Sequence, residues 1–588
     1  MVAVEIKVID SIDELTLYKT EWDSILKEIN NDILFLELDW ILFWWKFFGD
    51  KHELFVLMAF NDDKIAGICP LMITNKAIYN EIRFIGNRES SSNDFILRDK
   101  YREEAFECIC NFLRNLNGKN IIAFDVISER SANYALLNKY LKVNKVPFIS
   151  KDVISYFLNL KDKGFKNHFE HRFGKKTRQT MDSKEKKLKN LGNLAYKRVA
   201  TSEIDEVFEI HEKRWLRKVG NSSFSKGGTK EFYKELASNK NMKFNINVDA
   251  ITLNNRIISF MYGFEYNNKY LFIRIAHDDD FYFLSPGELV FKKKMEECFS
   301  SQIDVFDFGL GYEPYKAKWT DYYKIAYNTI LPSDNLLSRL IFYIKFWTRI
   351  KLIITLKKNK RIYNFRKYYL GKIKYLFTSK NISDKITKIK RAVERDGLLS
   401  IIIKFFISLT GKIFSHKQYL ILEKNLESVG LPQSNMQVKE AAIDDLDALS
   451  KAMNESPSSI IRRFINKHKC YIALHDGKII HYCWIDCSSI KISNIKLSIS
   501  VGKSEVHIYE AFVEKKYKNN YEYILSNVFN LLYRNSFRKC YITVNSSEKS
   551  FENEIYKKIF HPSYKVFEKR LLHTVKHNIV ELKLADKS

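Results

Sequence analysis

VFDFGLGYEPYKAKWTD, running from Val305 to Asp321, is the stretch on which the fold turns. Val305–Phe308 reads as a short strand, apolar except at Asp307. Gly309 and Gly311 end it, and residues without a Cβ let a chain turn sharply or let a ligand lie against its backbone. Tyr315, Lys316 and Trp319 follow at once. A hydroxyl and an ammonium delivered at a strand end can protonate a leaving group or hold an anion; the bland alternative is a β-bulge with Tyr315 packed on Trp319. A carboxylate in a buried strand needs a partner, so Asp307 either salt-bridges Lys316 or acts as a base with a raised pKa.

Upstream, the same unit reads as helices over SEIDEVFEIHEKRWLRKV and TKEFYKELASN. Three antiparallel strands follow, NINVDAITL, IISFMYGFEY and YLFIRIA, joined by Asn-rich turns, and then the helix SPGELVFKKKMEECFSS. Ser285 is placed to cap that helix, with Pro286 in its first position and Glu288 completing a capping box. Residues 1–150 show a related order: the strand VEIKVI, a helix with Ser11 and Glu14 as a capping box, the hairpin ELFVLMAF–NDDK–IAGICPLMIT, the helix YREEAFECICNFLRNL and the strand IIAFDVI. Residues 435–588 show it again, with Asp476-Gly477 as a hairpin turn. The reading is therefore α/β (α+β) with mixed sheets flanked by helices: units at 1–150, 151–332 and 435–588, and a connector at 333–434.

Bulk properties agree. With 588 residues the chain exceeds a single core. Its net charge of +27 is concentrated: from Asn335 to Arg395 there are 18 Lys and Arg against 2 Asp and Glu. LLSRLIFYIKFWTRIKLIITLKK sets cations among Leu, Ile, Phe and Trp, the composition of an interfacial amphipathic helix on an anionic membrane. A connector packed on its neighbours, or a nucleic-acid contact, is the alternative. The eight cysteines form no CxxC pair, which points to a reducing compartment and no zinc site. No secretory signal is legible, and the longest apolar run, GLLSIIIKFFISLT, carries Lys404. A cytoplasmic protein, peripheral on the inner membrane through its basic block, is expected.

The strand–helix order resembles the GNAT acyltransferase fold. Residues 1–332 resemble the paired GNAT halves of FemAB-like proteins, and more narrowly the cellulose-biosynthesis-linked (CelD-like) acetyltransferases. The resemblance is carried by LDWILFWWKFFGD, IAGICPLMI and FIGNRESSSNDFIL in the first half, and by FGKKTRQTMDSKEKKL, IHEKRWLRK, SPGELVFKK and FDFGLGYEPYKAKWTD in the second. Residues 435–588 resemble a further single GNAT domain.

The resemblance implies an acetyl-CoA (acyl-CoA) donor, no metal, and a sugar-derived, amine or cell-envelope acceptor. It implies a helix N-terminus facing the cofactor pyrophosphate. Ser285, Gly287 and Lys292, with Lys293 and Lys294, fall there, while Gly309 and Gly311 flank the thioester arm; the family's usual glycine loop is replaced by Ser285-Pro286-Gly287-Glu288. Tyr315 and Lys316 fall where a proton donor and an anion holder stand. His211 is a base or a packed core residue, and Arg214, Trp215 and Trp319 are substrate-side candidates. Asp94 and Trp44 in the first half serve as scaffold. In the last domain Glu510 is the candidate base, Asn545 the family's Asn, and Lys518 a cofactor-side cation. Asn519, Tyr521 and Tyr523 stand where small residues are usual and would project into the pyrophosphate space. Two other functions compete: a FemAB-type aminoacyl transferase that uses aminoacyl-tRNA, and a membrane-surface scaffold of GNAT-like modules without catalysis. The first calls for a long coiled-coil arm, which KEKKLKNL is too short to supply.

Overall fold

The structure, a computed structural model, describes residues 4–86, 88–161, 164–220, 222, 224, 228–348, 414–428, 436–492, 497–546, 550–571 and 574–581. It divides into two compact units, one built mainly from the described chain before 349 and one from the chain after 413; Lys186–Asn193 and Asp279–Phe281 group with the second.

The first unit opens with β1 (Glu5–Ile9), α1 (Ile12–Leu17), α2 (Lys19–Glu28), α3 (Leu38–Phe48), β2 (Glu53–Asn61), β3 (Lys64–Asn75), β4 (Asn80–Phe84), β5 (Ile96–Leu97), α4 (Arg102–Arg114), β6 (Asn120–Ser128) and α5 (Ala132–Val143). It continues with β7 (Ile149–Asn159), α6 (Phe165–Arg172), α7 (Lys175–Leu191), β8 (Leu194–Arg198), α8 (Ile204–Val219), α9 (Thr229–Ser238), β9 (Asn245–Leu253), β10 (Arg256–Tyr266), β11 (Lys269–His277), α10 (Pro286–Ser300), β12 (Val305–Leu310), α11 (Pro314–Trp319), β13 (Tyr323–Pro332) and α12 (Leu336–Ile341). The sheet order is β1-β2-β3-β4-β6-β13-β7-β12-β11-β10-β9-β8, with β5 on β3. No gap falls at residue 150. The last strand, β13, inserts between β6 and β7 and fuses the halves expected from the sequence into one sheet.

Local chemistry explains the strand hairpins. Asn254 and Asn255 between β9 and β10, and Asn267 and Asn268 between β10 and β11, hold φ values of 47, 68, 47 and 56°, the left-handed pair that tight hairpins need and that Asn tolerates. The aromatic run of α3 packs into the second half: Trp40, Phe43 and Phe48 lie 5.7, 5.4 and 5.2 Å, centroid to centroid, from the ring of Phe232 on α9. Large buried rings supply much of the favourable area in such a core, so α3 ties the halves together on one face. The Ser11–Glu14 capping box does not form: Ser11 makes no side-chain cap, and Glu14 pairs with Lys7 at 2.8 Å, a charged partner that competes better than a backbone N–H. Asp94 is buried and bonded to Ser131, Asn133 and the Phe95 N–H.

The second unit comprises β14 (Phe414–Asn425), β15 (Gln437–Glu440), α13 (Leu446–Met453), α14 (Pro457–Ile465), β16 (Lys469–His475), β17 (Lys478–Asp486), β18 (Ser489–Ile492), β19 (Leu497–Ser500), β20 (Glu505–Val513), α15 (Tyr521–Arg534), β21 (Lys539–Asn545), α16 (Phe551–Ile559), β22 (His561–Leu571) and β23 (Thr574–Glu581). Its main sheet runs β15-β16-β17-β20-β21-β14-β22-β23. Read against β8-β9-β10-β11-β12-β7-β13, the first seven positions correspond one to one, with β14 in the role of β7. β14 lies inside the stretch expected to be connector: a strand from before the domain is needed to fill the place beside β21. Of the basic amphipathic segment, the structure describes α12 and the turn continuing it through Trp347; residues 349–413 lie outside the described residues.

Candidate active site

β11 and β12 are parallel neighbours over three residues only, Lys269↔Val305, Tyr270↔Phe306 and Leu271↔Asp307. Past that point β11 stays with β10 as far as His277, while β12 stays with β7 as far as Leu310. The β10–β11 register shifts between Tyr262 and Gly263, leaving Ile273 as an extra residue where β12 departs. Two strand edges are thus left without each other as partners, and the wedge between them is a cleft of about 580 Å³ reaching Phe272–His277, Phe308, Gly309 and Leu310.

Gly309 is required at the apex. Its φ is +69°, and a Cβ there would stand 2.8 Å from the Phe272 carbonyl oxygen, a backbone atom of the facing strand. Lys316 does not reach outward. Its buried ammonium donates to the carbonyls of Gly309 at 3.2 Å and Leu310 at 2.9 Å and pairs with Glu313 at 2.8 Å, so it staples the turn that contains it. Burial draws its pKa down against the pull of Glu313.

Both expectations for Asp307 fail. Strand alternation sends it to the face opposite Phe306 and Phe308, where Lys324 of β13 pairs with it at 2.7 Å and the Gly309 N–H donates to it at 2.8 Å. Burial alone would raise its pKa. The Lys324 ammonium and these hydrogen bonds outweigh that and hold the carboxyl below its ordinary value. Asp307 neither meets Lys316 nor lines the cleft.

The cleft passes through the sheet. On one side stands the start of α10. Ser285 precedes it but is no cap: its φ is 52°, and its hydroxyl accepts from Lys184 at 2.7 Å rather than from the helix. Gly287 lies against His277, whose Nδ1 would be 2.9 Å from an added Cβ. Glu288 is flanked by Lys318 at 3.4 Å and Lys184 at 3.9 Å, which lessens its repulsion of an anion. Lys294 takes no part in this. It is fully buried, ion-paired with Asp249 and Glu297 at 3.2 Å each, because it occupies the apolar stripe of α10 together with Val290, Phe291 and Cys298. Lys292 lies over the Phe169 ring and pairs with Asp182, and Lys293 pairs with Glu296. Trp319 closes the floor against Phe173 and Phe291. Tyr315, whose ring contacts Phe291, makes no hydrogen bond to the described residues; burial, then Glu313, pushes its pKa up, so the hydroxyl keeps its proton.

The other side is built by α8, α9 and a first-half loop. His211, Arg214 and Trp215 line it together, as their helical spacing predicts. His211 is buried, with Nδ1 3.1 Å from the Ser222 hydroxyl; burial, then Arg274 and Arg214, lower its pKa to about 3. Arg214 donates to His277 Nε2 at 2.5 Å, and burial with that guanidinium lowers His277 to about 3 as well. Sequence reasoning missed His277, Arg274 and Glu89. Arg274 of β11 donates to Glu89 Oε2 at 2.8 Å, and Tyr233 of α9 donates to the same oxygen at 2.5 Å. The first half thereby places Arg88, Glu89, Ser90 and Ser91 in the wall.

The second unit repeats the divergence. β20 and β21 are paired from Glu505↔Lys539 to Ile508↔Ile542, and beyond lies a cleft of about 670 Å³ lined by Glu510, Asn545, His507 and Tyr509. Glu510, at φ 52°, is ion-paired with Arg463. Lys518 lies in the turn Lys515–Asn520 and does not line this cleft. Tyr521 does not project into a ligand space: it is fully buried and bonded to Tyr556, since it begins the inward stripe of α15. Among the described residues no cluster of His, Cys, Asp or Glu is placed to hold a metal.

Residues 175–317 match the family model described as the acetyltransferase (GNAT) domain. The matched segment contains β8 to β12, α10 and most of the cleft. No curated protein matches the chain. Solved structures similar to it include FemX (12% identity, TM-score 0.40, covering 58% of this chain and 99% of that one). They also include L-PGS from Bacillus licheniformis (9%, 0.34, 55% and 94%) and the tandem GNAT protein from the clavulanic acid biosynthesis pathway (9%, 0.34, 57% and 99%). At these scores the likenesses say nothing of activity.

Proposed function

We propose that this chain, which carries a GNAT acetyltransferase domain, transfers an acyl group, acetyl in the simplest case, from a coenzyme A thioester to an amine or hydroxyl acceptor in the β11–β12 cleft. The observation that carries the reading is the three-residue pairing of β11 with β12, which leaves a strand edge open beside the start of α10. An extended pantetheine arm suits such an edge. The helix N-terminus, Gly287 without a side chain, and Lys184 and Lys318 around Glu288 suit a pyrophosphate. The bound thioester would supply an activated carbonyl.

The chain's own groups then divide the work. Glu89 lines the acceptor side with Oε2 taken by Arg274 and Tyr233 and with Oε1 making no hydrogen bond to the described residues. It takes the proton from the acceptor N–H or O–H as the new bond to the acyl carbon forms. The C–S bond breaks, and Tyr315 gives its hydroxyl proton to the departing thiolate, to be reprotonated from solvent. Lys316 holds the turn that positions Tyr315, and His211, a weak base, belongs to the wall. The segments quoted from residues 1–332 favour a FemAB-like or CelD-like enzyme acting on a sugar-derived or cell-envelope precursor.

Placement at an anionic membrane surface accords with α12 and its continuation. Leu336, Leu340 and Ile344 fall at four-residue spacing and are 82, 53 and 66% exposed, with Arg339 between the first two and Lys345 directly after the third. Among the described residues no helix is long and apolar enough to cross a membrane. Co-sedimentation of the full chain with phosphatidylglycerol vesicles, lost on Leu340→Glu with Ile344→Glu, tests this.

Coenzyme A binding by calorimetry and thiol release from acetyl-CoA with a panel of amino sugars test the reaction. Gly287→Asp, which sets a side chain against His277 and a charge at the pyrophosphate, is expected to abolish binding. Failure of the native chain to bind any acyl-CoA would overturn the proposal.

A further inference from the structure

The side of the first-unit cleft away from α10 carries a charge pattern that acyl transfer by itself does not need. Arg88, Arg214, Lys218 and Arg274 line it against one carboxylate, Glu89, already held by Arg274 and Tyr233. Arg88 is exposed and pairs with none of the described residues. Two further donors, Arg274 Nε and Trp215 Nε1, are buried without a hydrogen-bond partner among the described residues. Trp215 can only donate, and a guanidinium can only donate. A buried donor left unsatisfied is costly, so such a wall fits an acceptor-rich, negatively charged occupant and disfavours a neutral or cationic one. The phosphates of coenzyme A at the start of α10 do not account for Arg274: α10 covers Ser259 through the Pro286 carbonyl, whereas Arg274 lies over the Tyr233 ring on the opposite, α9 face; Arg214 is the cation that reaches toward Gly287, through His277.

We propose that the acceptor is an anion, a carboxylate or a phosphate ester, whose charged group sits against Arg88, Arg274 and Trp215, so that a loop of the first half selects the substrate used by the second. The inference rests on the acyl-transfer reading for naming this side the acceptor's entrance, not for the presence of an anion site. A pendant anion here would orient the attacking amine or hydroxyl toward Glu89 and the cleft apex. It would also give the first half, which supplies Arg88, Glu89, Ser90 and Ser91, a part in the reaction of the second.

The test is a calorimetric titration of the full chain, saturated with coenzyme A, with inorganic phosphate and separately with acetate. One saturable site is expected for at least one of them, weakened about tenfold by Arg88→Gln and by Trp215→Phe, as loss of one charge-assisted hydrogen bond implies. Arg88 is exposed and Trp215→Phe keeps a ring in the wall, so both variants are expected to fold; circular dichroism checks this. Phosphate binding without acetate binding identifies a phosphate ester, and the reverse a carboxylate. No saturable uptake of either anion, or uptake untouched by both variants, overturns the proposal. If coenzyme A itself does not bind, the same titration on the free protein still decides: variant-sensitive anion binding keeps the anion site while the acyl-transfer reading alone falls.

Discussion

Gly309→Ala probes the apex of the wedge. At φ +69° an alanine carries a left-handed backbone cost of about 1–2 kcal/mol. Its Cβ would also stand 2.8 Å from the Phe272 carbonyl oxygen, which cannot yield without moving β11, and overpacking of that kind costs about 1–3 kcal/mol. The sum, about 3 kcal/mol, is a large fraction of a typical domain's stability. Gly118→Ala is the control within the same unit: φ is +96°, but the nearest atom to its Cβ is 3.9 Å away, so only the backbone cost applies. Urea unfolding followed by tryptophan fluorescence reports on this unit, since seven of the eight tryptophans precede residue 348. Gly309→Ala is expected to lose about 2 kcal/mol more than Gly118→Ala and to weaken coenzyme A binding at least about tenfold. Equal stability losses in the two variants, with coenzyme A affinity unchanged, would refute the claim that close strand approach at Gly309 sets the cleft.

Tyr315→Phe is expected to lower kcat about a hundredfold or more while leaving KM for the thioester unchanged, read by thiol release. Lys316→Met removes the donor that staples the Gly309 and Leu310 carbonyls and should cost about 3 kcal/mol in urea, with new proteolytic cleavage near residues 309–316. Lys294→Met leaves buried Asp249 with Arg198, at 2.9 Å, as its one remaining cation among the described residues, and should destabilise by about 2–3 kcal/mol; coenzyme A affinity should hold, because Lys294 faces away from the cleft. Acid should weaken the first unit early. His211 and His277 titrate near 3 when folded and near 6.5 when unfolded, so the unfolded state binds their protons first and stability is lost as pH falls from about 6.5 toward 3. From pH 7.5 to 5.5 each contributes a loss of about 1.4 kcal/mol. A pH-independent urea midpoint over that range, or a His277→Gln variant with an undiminished slope, would contradict this.

The wedge was legible because its signals are local. An apolar strand ended by Gly309 and Gly311 marks a place where backbones come close, and Asn-Asn and Asp476-Gly477 turns mark hairpins whatever surrounds them. The partner of Asp307 was not legible, because Lys324 reaches it only through the insertion of β7 and β13 beside β12, which no local pattern records. The misreading of Lys294 was avoidable: its spacing from Val290, Phe291 and Cys298 already set it on the inward stripe, where a lysine needs carboxylates rather than a ligand. Glu89 and Arg274 lie 185 residues apart, and their meeting depends on α3 docking one half on the other.

Strand β13 has a consequence during synthesis. As the chain leaves the ribosome, β6 emerges with its outer edge bare and waits roughly two hundred residues for the strand that covers it. Until then the nascent first half presents an open, apolar strand of the kind that recruits stray β-segments. Fragments ending near residue 150 should therefore clump or bind holding chaperones, while those reaching beyond residue 332 should not.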